Sequence, residues 1–472
     1  MGLDTKLLLQ DLLTNDVLIS IFDKISIVHR KRLTRVCKRW KQLIEASFLR
    51  VTVFSAVDDR RCVANWQPSN WLGMKMVSQK DYIRIPKVSA SEILSKTADK
   101  LPNLISIDLE CCDMNNRIIR TILNSCKKVE GINLDSSTRL NFYSFNLMVH
   151  GWSRLRHVNL SCCTEVTEMS ARFLIRSLSR LESLNLCGTR INGHCLNELN
   201  PNLKRLDISY CWGVQEQGLR ALSRAPCKSL EELSVNNFDF DEAESCLIAI
   251  CENFDNLKHL QLGIGPCVAH DYFIDRVTSR GFSSIAKLRN LETLIIEKIC
   301  IMDNAALLSI FRSCSKLKYI KLNLGWLNFC NDIGFANIDN LLPNLEQLHI
   351  SNPSSLTSSG AACLANLAKL KSLSLVNTLI DNEIFKYIEK LENLDHLNLD
   401  DNRKITLKGL NHLCRIASKH PEKKFTASLL GTGIPVTRIR NRKNFPGNLF
   451  AQISNYRATK YHMQLPPPVI DM

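Results

Sequence analysis

The chain lacks any run of about 18 consecutive apolar residues, so no membrane-crossing helix is expected. Its opening, MGLDTKLLLQDLL, lacks the basic start, apolar stretch and small-residue cleavage site of a secretory signal. Lys6 stands where a myristoylation pattern requires Ser or Thr, and the closing PPPVIDM offers no Cys for a prenyl group. These absences predict a soluble protein inside the cell, in the cytoplasm, the nucleus or both. Also missing are a phosphate-binding loop, a metal-ligand spacing and a nucleophile signature, so no catalytic residue, metal or cofactor is expected. Neither a Cys/His finger, nor a base-stacking motif, nor a basic-aromatic cluster is present, which argues against nucleic acid as partner.

What is present begins with charge: a formal net +15 and a pI near 9.1 favour acidic or otherwise anionic partners. The 19 cysteines, in a chain without secretion signals, are expected to be free thiols serving as small buried hydrophobes.

From Leu101 onward one phrase recurs: apolar, two variable, apolar, one variable, apolar. It reads Leu104/Ile107/Leu109, Val129/Ile132/Leu134, Leu155/Val158/Leu160, Leu181/Leu184/Leu186, Leu203/Leu206/Ile208, Leu230/Leu233/Val235 and Leu257/Leu260/Leu262. Further copies start at Leu291, Leu317, Leu345, Leu370 and Leu394, about twelve in all. Most intervals are about 22 to 28 residues, the leucine-rich-repeat period; the one from Leu257 to Leu291 is near 34 and predicts an extra loop. A weaker thirteenth copy is suggested at Phe425, where Leu430 fits but Ser428 does not.

In each phrase the fourth and sixth residues share one side of a short strand and bury, while the residues between them point the other way. A turn and a helix-like stretch follow, such as Ser170 to Leu178 or Gly218 to Leu222. One repeat cannot cover its own apolar face, so neighbours must stack. Strands about 4.8 Å apart inside and helices about 8–10 Å apart outside predict an α/β fold: a curved solenoid with a concave parallel sheet and outer helices. Cys112, Cys163 and Cys211, like Thr189 and Asn402, occupy the ninth position, where a small polar or thiol group can satisfy turn backbone. Cys126, Cys227 and Cys314 each precede an opening apolar residue by three. The segments Leu160-Ser-Cys-Cys163 and Ile208-Ser-Tyr-Cys211 resemble the cysteine-containing class of leucine-rich repeat.

The first fifty residues follow another pattern. Asn15 and Asp16 can cap a helix with Val17, Leu18, Ile21, Phe22 and Ile25 on one face, and Leu33, Val36, Cys37, Trp40, Leu43 and Ile44 form a second periodic stretch. The run from Leu12 to Phe22, followed by Leu33-Thr-Arg-Val-Cys-Lys-Arg-Trp40, resembles an F-box over residues 9–49, with Thr14 where that family usually has Pro. With the array, the chain resembles the F-box/leucine-rich-repeat family. The resemblance implies a non-catalytic receptor subunit of a ubiquitin ligase, which targets proteins for proteasomal degradation. Its F-box docks on a Skp-type adaptor, through which it meets a cullin and a RING subunit, while the repeats hold a protein substrate. The matching adaptor-contact or core positions are Leu13, Leu18, Ile21, Phe22, Val36, Cys37 and Trp40. Two alternatives stay open: a non-degradative F-box scaffold, and a repeat protein binding an anionic partner. The basic cluster Arg30, Lys31, Arg32, Arg35, Lys38, Arg39 and Lys41 reads either as steering toward an acidic adaptor or as a solvated helix face.

Residues 50–100, with the strand-like Val51 to Phe54, are expected to link the F-box to the array and cap its first repeat; the array itself runs over 101–433. The basic, Pro-rich tail 434–472 is expected to be either disordered or folded back across the concave face. Substrate contacts are expected among the outward strand residues, chiefly His157, Arg205, Asp207, His259, Tyr319, Lys321 and His349, with Trp212 and Trp326 as aromatic anchors.

Overall fold

The computed structural model describes residues 15, 17, 18, 21, 33, 36 and 38–48, then 53–55, 91, 94 and 95. From 98 to 453 it describes all but 113, 138, 212, 237–239, 241, 264–276, 300–301, 325–329, 354 and 436–445. The chain divides into two compact units, one of residues 1–214 with 225–227 and one of 215–224 with 228–472. Each is a leucine-rich-repeat solenoid: a parallel sheet on one side, helical segments on the other, and the apolar core between.

In the first unit six short strands pair in chain order, all parallel: β1 (Val53–Ser55), β2 (Ser106–Asp108), β3 (Gly131–Asn133), β4 (His157–Asn159), β5 (Ser183–Asn185) and β6 (Arg205–Asp207). Ile107, Ile132, Val158, Leu184 and Leu206 stand in one register row, each at the fourth phrase position and each buried. The second unit holds β7 (Glu232–Val235), β8 (His259–Gly263), β9 (Thr293–Ile299), β10 (Tyr319–Leu324), β11 (Gln347–Ser351), β12 (Ser372–Val376), β13 (His396–Asn398), β14 (Phe425–Ser428) and β15 (Leu449–Gln452), again parallel. The fourth phrase positions form a row of their own there, through Leu233, Leu260, Leu294, Ile320, Leu348, Leu373 and Leu397.

Return to the helical side is capped locally. Asn115 Oδ1 accepts from the backbone N–H groups of Arg117 and Ile118, both at 3.0 Å, opening helix Asn116–Ser125. Asn141 and Ser144 form a reciprocal capping box before helix Phe142–Gly151. The expected helix after the third phrase runs Glu168–Ser177, and that after the fifth Glu216–Ser223. The residue three before several phrases ends the helix and turns the chain: Trp152 N donates to Met148 O, and Leu155 N to Trp152 O. Cys314 does the same, and Cys126 N donates to Ile122 O, so a thiol there is one solution among several for a buried turn residue.

Every described cysteine is a free thiol. The ninth-position groups satisfy backbone carbonyls, as the sequence led one to expect. Cys163 Sγ donates to Leu134 O of the preceding repeat at 3.0 Å, and Cys211 Sγ to Leu186 O at 2.9 Å. Burial pushes these thiols up, Cys163 to about 12 and Cys211 to about 11, so both keep the proton they donate at neutral pH.

The structure departs from the sequence expectation in three places. The thirteenth phrase is shifted by one residue. Leu397 pairs with Ala427, so Ala427 and Leu429 face the core while Ser428 and Leu430 do not. A one-residue slip on a strand exchanges its faces, and burial of Phe425, Ala427 and Leu429 decides which register wins. Second, β15 lies inside the segment expected as tail and adds a parallel strand to β14, with Leu449 paired to Phe425. Third, many outward strand residues are covered, not solvated. Ser106, Asp108, Asn133, Asn159, Ser183, Asn185 and Ser374 are buried, because small polar side chains on closely spaced strands shield one another. The extra loop of the long interval falls largely on 264–276, outside the described residues. No helix among the described residues is long and apolar enough to cross a membrane.

Candidate functional site

Within the N-terminal module the described side chains separate into core and surface. Leu18 and Ile44 are buried, and Trp40, Leu33 and Leu43 are half-buried. Val17, Ile21 and Val36 are 43%, 42% and 56% exposed, a large exposure for β-branched aliphatics. Val17 and Ile21 are four apart on one helical stretch and so share a face. Asn15, expected as a cap, is itself helical; its Oδ1 accepts from Arg39 Nε at 3.0 Å and Arg39 Nη2 at 2.8 Å. That fork ties the first helical stretch to helix Lys38–Phe48, so Arg39 is structural while Lys38 and Lys41 stay exposed. Leu13, Phe22, Cys37, Arg30, Lys31, Arg32 and Arg35 lie outside the described residues.

On the sheet face of the first unit, the fifth phrase position forms a column of turns. The side-chain oxygens of Asp108, Asn133, Asn159, Asn185 and Asp207 each accept the backbone N–H two residues on, at 2.8–3.2 Å. Asp207, expected to contact substrate, is therefore committed to the turn that ends β6, an Asx geometry. Burial lifts its carboxyl to about 6. Arg205 and His157 do come together: Arg205 Nη2 lies 3.3 Å from His157 Nδ1, two strands away. Burial, then the Arg205 charge, pushes His157 down to about 4. It is neutral at pH 7 and accepts from the guanidinium.

Glu110 sits beside Asp135 and Asp108 at the strand ends. Burial, then Asp135, then Asp108 raise its carboxyl to about 7. A carboxyl raised on folding binds its proton more tightly in the native state, so its penalty is absent below the unfolded value and grows as pH rises toward 7. Glu110→Gln should therefore raise stability to urea at pH 8, by about 1 kcal/mol after discounting for solvent screening, and leave it unchanged below about pH 4. Equal midpoints at pH 8 would mean that the charge carries no penalty.

In the second unit Tyr319 and Lys321 lie on β10, and His349 faces Lys321 across β11. The Tyr319 and His349 rings stand 5.5 Å apart, and Lys321 Nζ is 2.7 Å from Glu297. Burial first and Lys321 second push His349 down to about 4, and its Nε2 is buried without a hydrogen-bond partner among the described residues. His259, half-buried on β8, is also lowered by burial. Tyr319, Lys321 and His349 are thus contiguous, whereas His157 and Arg205 form a separate pair in the other unit. Trp212 and Trp326 lie outside the described residues.

Residues 11–51 match the family model described as F-box domain. No curated protein matches the chain. Among solved structures, an internalin from Listeria monocytogenes is similar at 18% identity and a TM-score of 0.44, covering 67% of this chain and 79% of its own. The Rad7 and Elc1 complex in yeast is similar at 14% identity and a TM-score of 0.48, covering 94% of this chain and 93% of the other.

Proposed function

We propose that this chain, which carries an F-box domain at residues 11–51 and a leucine-rich-repeat fold, is the non-catalytic substrate receptor of a Skp–cullin–F-box ubiquitin ligase. The F-box match carries the reading, since F-box domains bind Skp-type adaptors, and the adaptor in turn bridges to a cullin and a RING subunit. The exposed Val17, Ile21 and Val36 supply the apolar surface such docking requires. A receptor acts by proximity: it holds a protein substrate beside a ubiquitin-conjugating enzyme and performs no bond chemistry itself. The open sheet face is where that substrate would rest, with His157 and Arg205 in one unit and Tyr319, Lys321, His349 and His259 in the other.

The adaptor reading predicts that wild-type chain co-purifies with a Skp-type adaptor and that Ile21→Asp/Val36→Asp weakens capture at least tenfold, the equivalent of about 1.4 kcal/mol. Both positions are exposed, so circular dichroism and the denaturation midpoint should not move. Undiminished capture by the double variant would remove these residues from the interface, and no capture by wild type would overturn the reading. Reconstituted ubiquitination of a bound protein then separates a ligase receptor from a scaffold.

A further inference from the structure

The helical side of the first unit carries a surface that adaptor docking and the sheet face leave unused. Phe142 and Tyr143 open helix Phe142–Gly151, and Met169 and Phe173 share a face of helix Glu168–Ser177. The Phe142 and Phe173 ring centroids are 5.2 Å apart, and the Arg120 guanidinium lies 5.2 Å from the Tyr143 ring centroid. Arg120 thus covers Tyr143, and the adjoining Phe142 meets Phe173, which lies one helical turn from Met169. Phe142 is 49% exposed, Tyr143 44% and Met169 66%. Scattered apolar residues on a surface are ordinary, but a contiguous aromatic and methionine patch on outer helices is not.

The charge around the patch says what would cover it. Neither helix Asn116–Ser125 nor helix Phe142–Gly151 contains an acidic residue. Arg172 and Arg176 are neutralised, since Arg172 meets Glu168 and Glu198 and Arg176 meets Glu198. Arg117 and Arg120 on the neighbouring helix are both exposed, and Arg120 meets the Tyr143 hydroxyl, not a carboxylate, among the described residues. Arg117 and Arg120 thus stand beside the patch with no carboxylate partner among the described residues, against the single exposed Glu165 before helix Glu168–Ser177. Aromatic rings and an adaptable methionine, flanked by two arginines, fit an amphipathic helix that presents apolar residues at i, i+3 and i+4 and carboxylates beside them.

We propose that this outer face of the first unit docks an acidic amphipathic helix of a partner protein, at a site separate from both the F-box and the sheet face. It needs no adaptor.

The test is selection of a random 16-residue peptide library on the immobilised full-length chain, with Met169→Glu and Arg120→Glu chains alongside. Enriched peptides should carry an excess of Asp and Glu with aliphatic or aromatic residues at helical spacing. Met169→Glu, at a highly exposed position, should weaken them at least tenfold, and Arg120→Glu should turn the preference toward Lys and Arg. Circular dichroism of both variants should match wild type. Enrichment equal on wild type and Met169→Glu, or peptides without acidic bias, would overturn the proposal. Sedimentation showing a wild-type dimer that Met169→Glu dissolves would also overturn it, assigning the patch to a second copy of the chain.

Discussion

Replacing Trp152 by Ala is expected to destabilise the first unit by about 4 kcal/mol, the range seen when a fully buried aromatic is truncated. Trp152 is essentially inaccessible, and its indole Nε1 donates to the carbonyl of Cys126 at 2.7 Å. Cys126 occupies the same turn position one repeat earlier, so this hydrogen bond joins two successive turns. The Ala variant loses three things together: packing volume, the transfer free energy of the ring, and the partner of a buried carbonyl. Trp152→Phe restores most of the volume and none of the hydrogen bond, and should cost about 1.5 kcal/mol. The difference between the two variants isolates packing from hydrogen bonding. Repeats contact mainly their neighbours, so the loss should be local. Hydrogen exchange should quicken for amides across residues 116–160 and stay unchanged in the second unit. A global shift in midpoint without local loss of protection would contradict the nearest-neighbour picture.

The repeat phrase was legible because burial has a strict period on a strand. Its fourth and sixth positions show only Leu, Ile and Val through the first seven repeats, and the register rows of the structure join these residues. The turn position three before each phrase was only partly legible. Its buried occupants include Cys126, Trp152, Leu178, Cys227, Phe254 and Cys314, and such a range of volumes hides the column unless its hydrogen bonds are known. The eighth position was harder still. Cys111, Ser136, Cys162, Tyr210, Asn377 and Asp401 all adopt φ between 51° and 60°, the left-handed region, although only Asn and Asp favour it. Backbone closure of the repeat imposes that conformation, and side-chain chemistry does not announce it. A fourth regularity lay in plain sight. The second phrase position alternates in sign, with Arg156 and Lys204 meeting Glu182 in one unit, and Lys258 meeting Glu231 and Lys318 meeting Glu292 in the other. Each such exposed pair contributes about 0–1 kcal/mol, so their value lies in favouring the right neighbour over a slipped one. The residues proposed to meet a substrate were least legible. The period gives Asp207 and Lys321 equivalent positions in their repeats, but whether a carboxylate serves a turn or a partner depends on an N–H two residues away.

Asn402→Ala should cost about 3 kcal/mol, because Asn402 is buried and its amide serves five hydrogen bonds at once. Nδ2 donates to Leu375 O at 2.6 Å, Leu399 O at 2.9 Å and Asp400 O at 3.2 Å. Oδ1 accepts from Thr378 N at 2.8 Å and Thr378 Oγ1 at 2.6 Å. Alanine removes all five and leaves buried carbonyls and an amide N–H with no water to turn to. The other repeats supply an internal control. Leu375 holds the sixth position of the preceding repeat, as do Leu134 and Leu186, the acceptors of the Cys163 and Cys211 thiols. Asn402→Cys should thus rebuild the donor to Leu375 O while leaving the Thr378 groups unserved, and cost about half as much as alanine. Urea midpoints of the three chains, with hydrogen exchange over residues 372–432, decide it. If cysteine proves as damaging as alanine, the ninth position is not interchangeable between repeats, and the Thr378 contacts carry most of the effect.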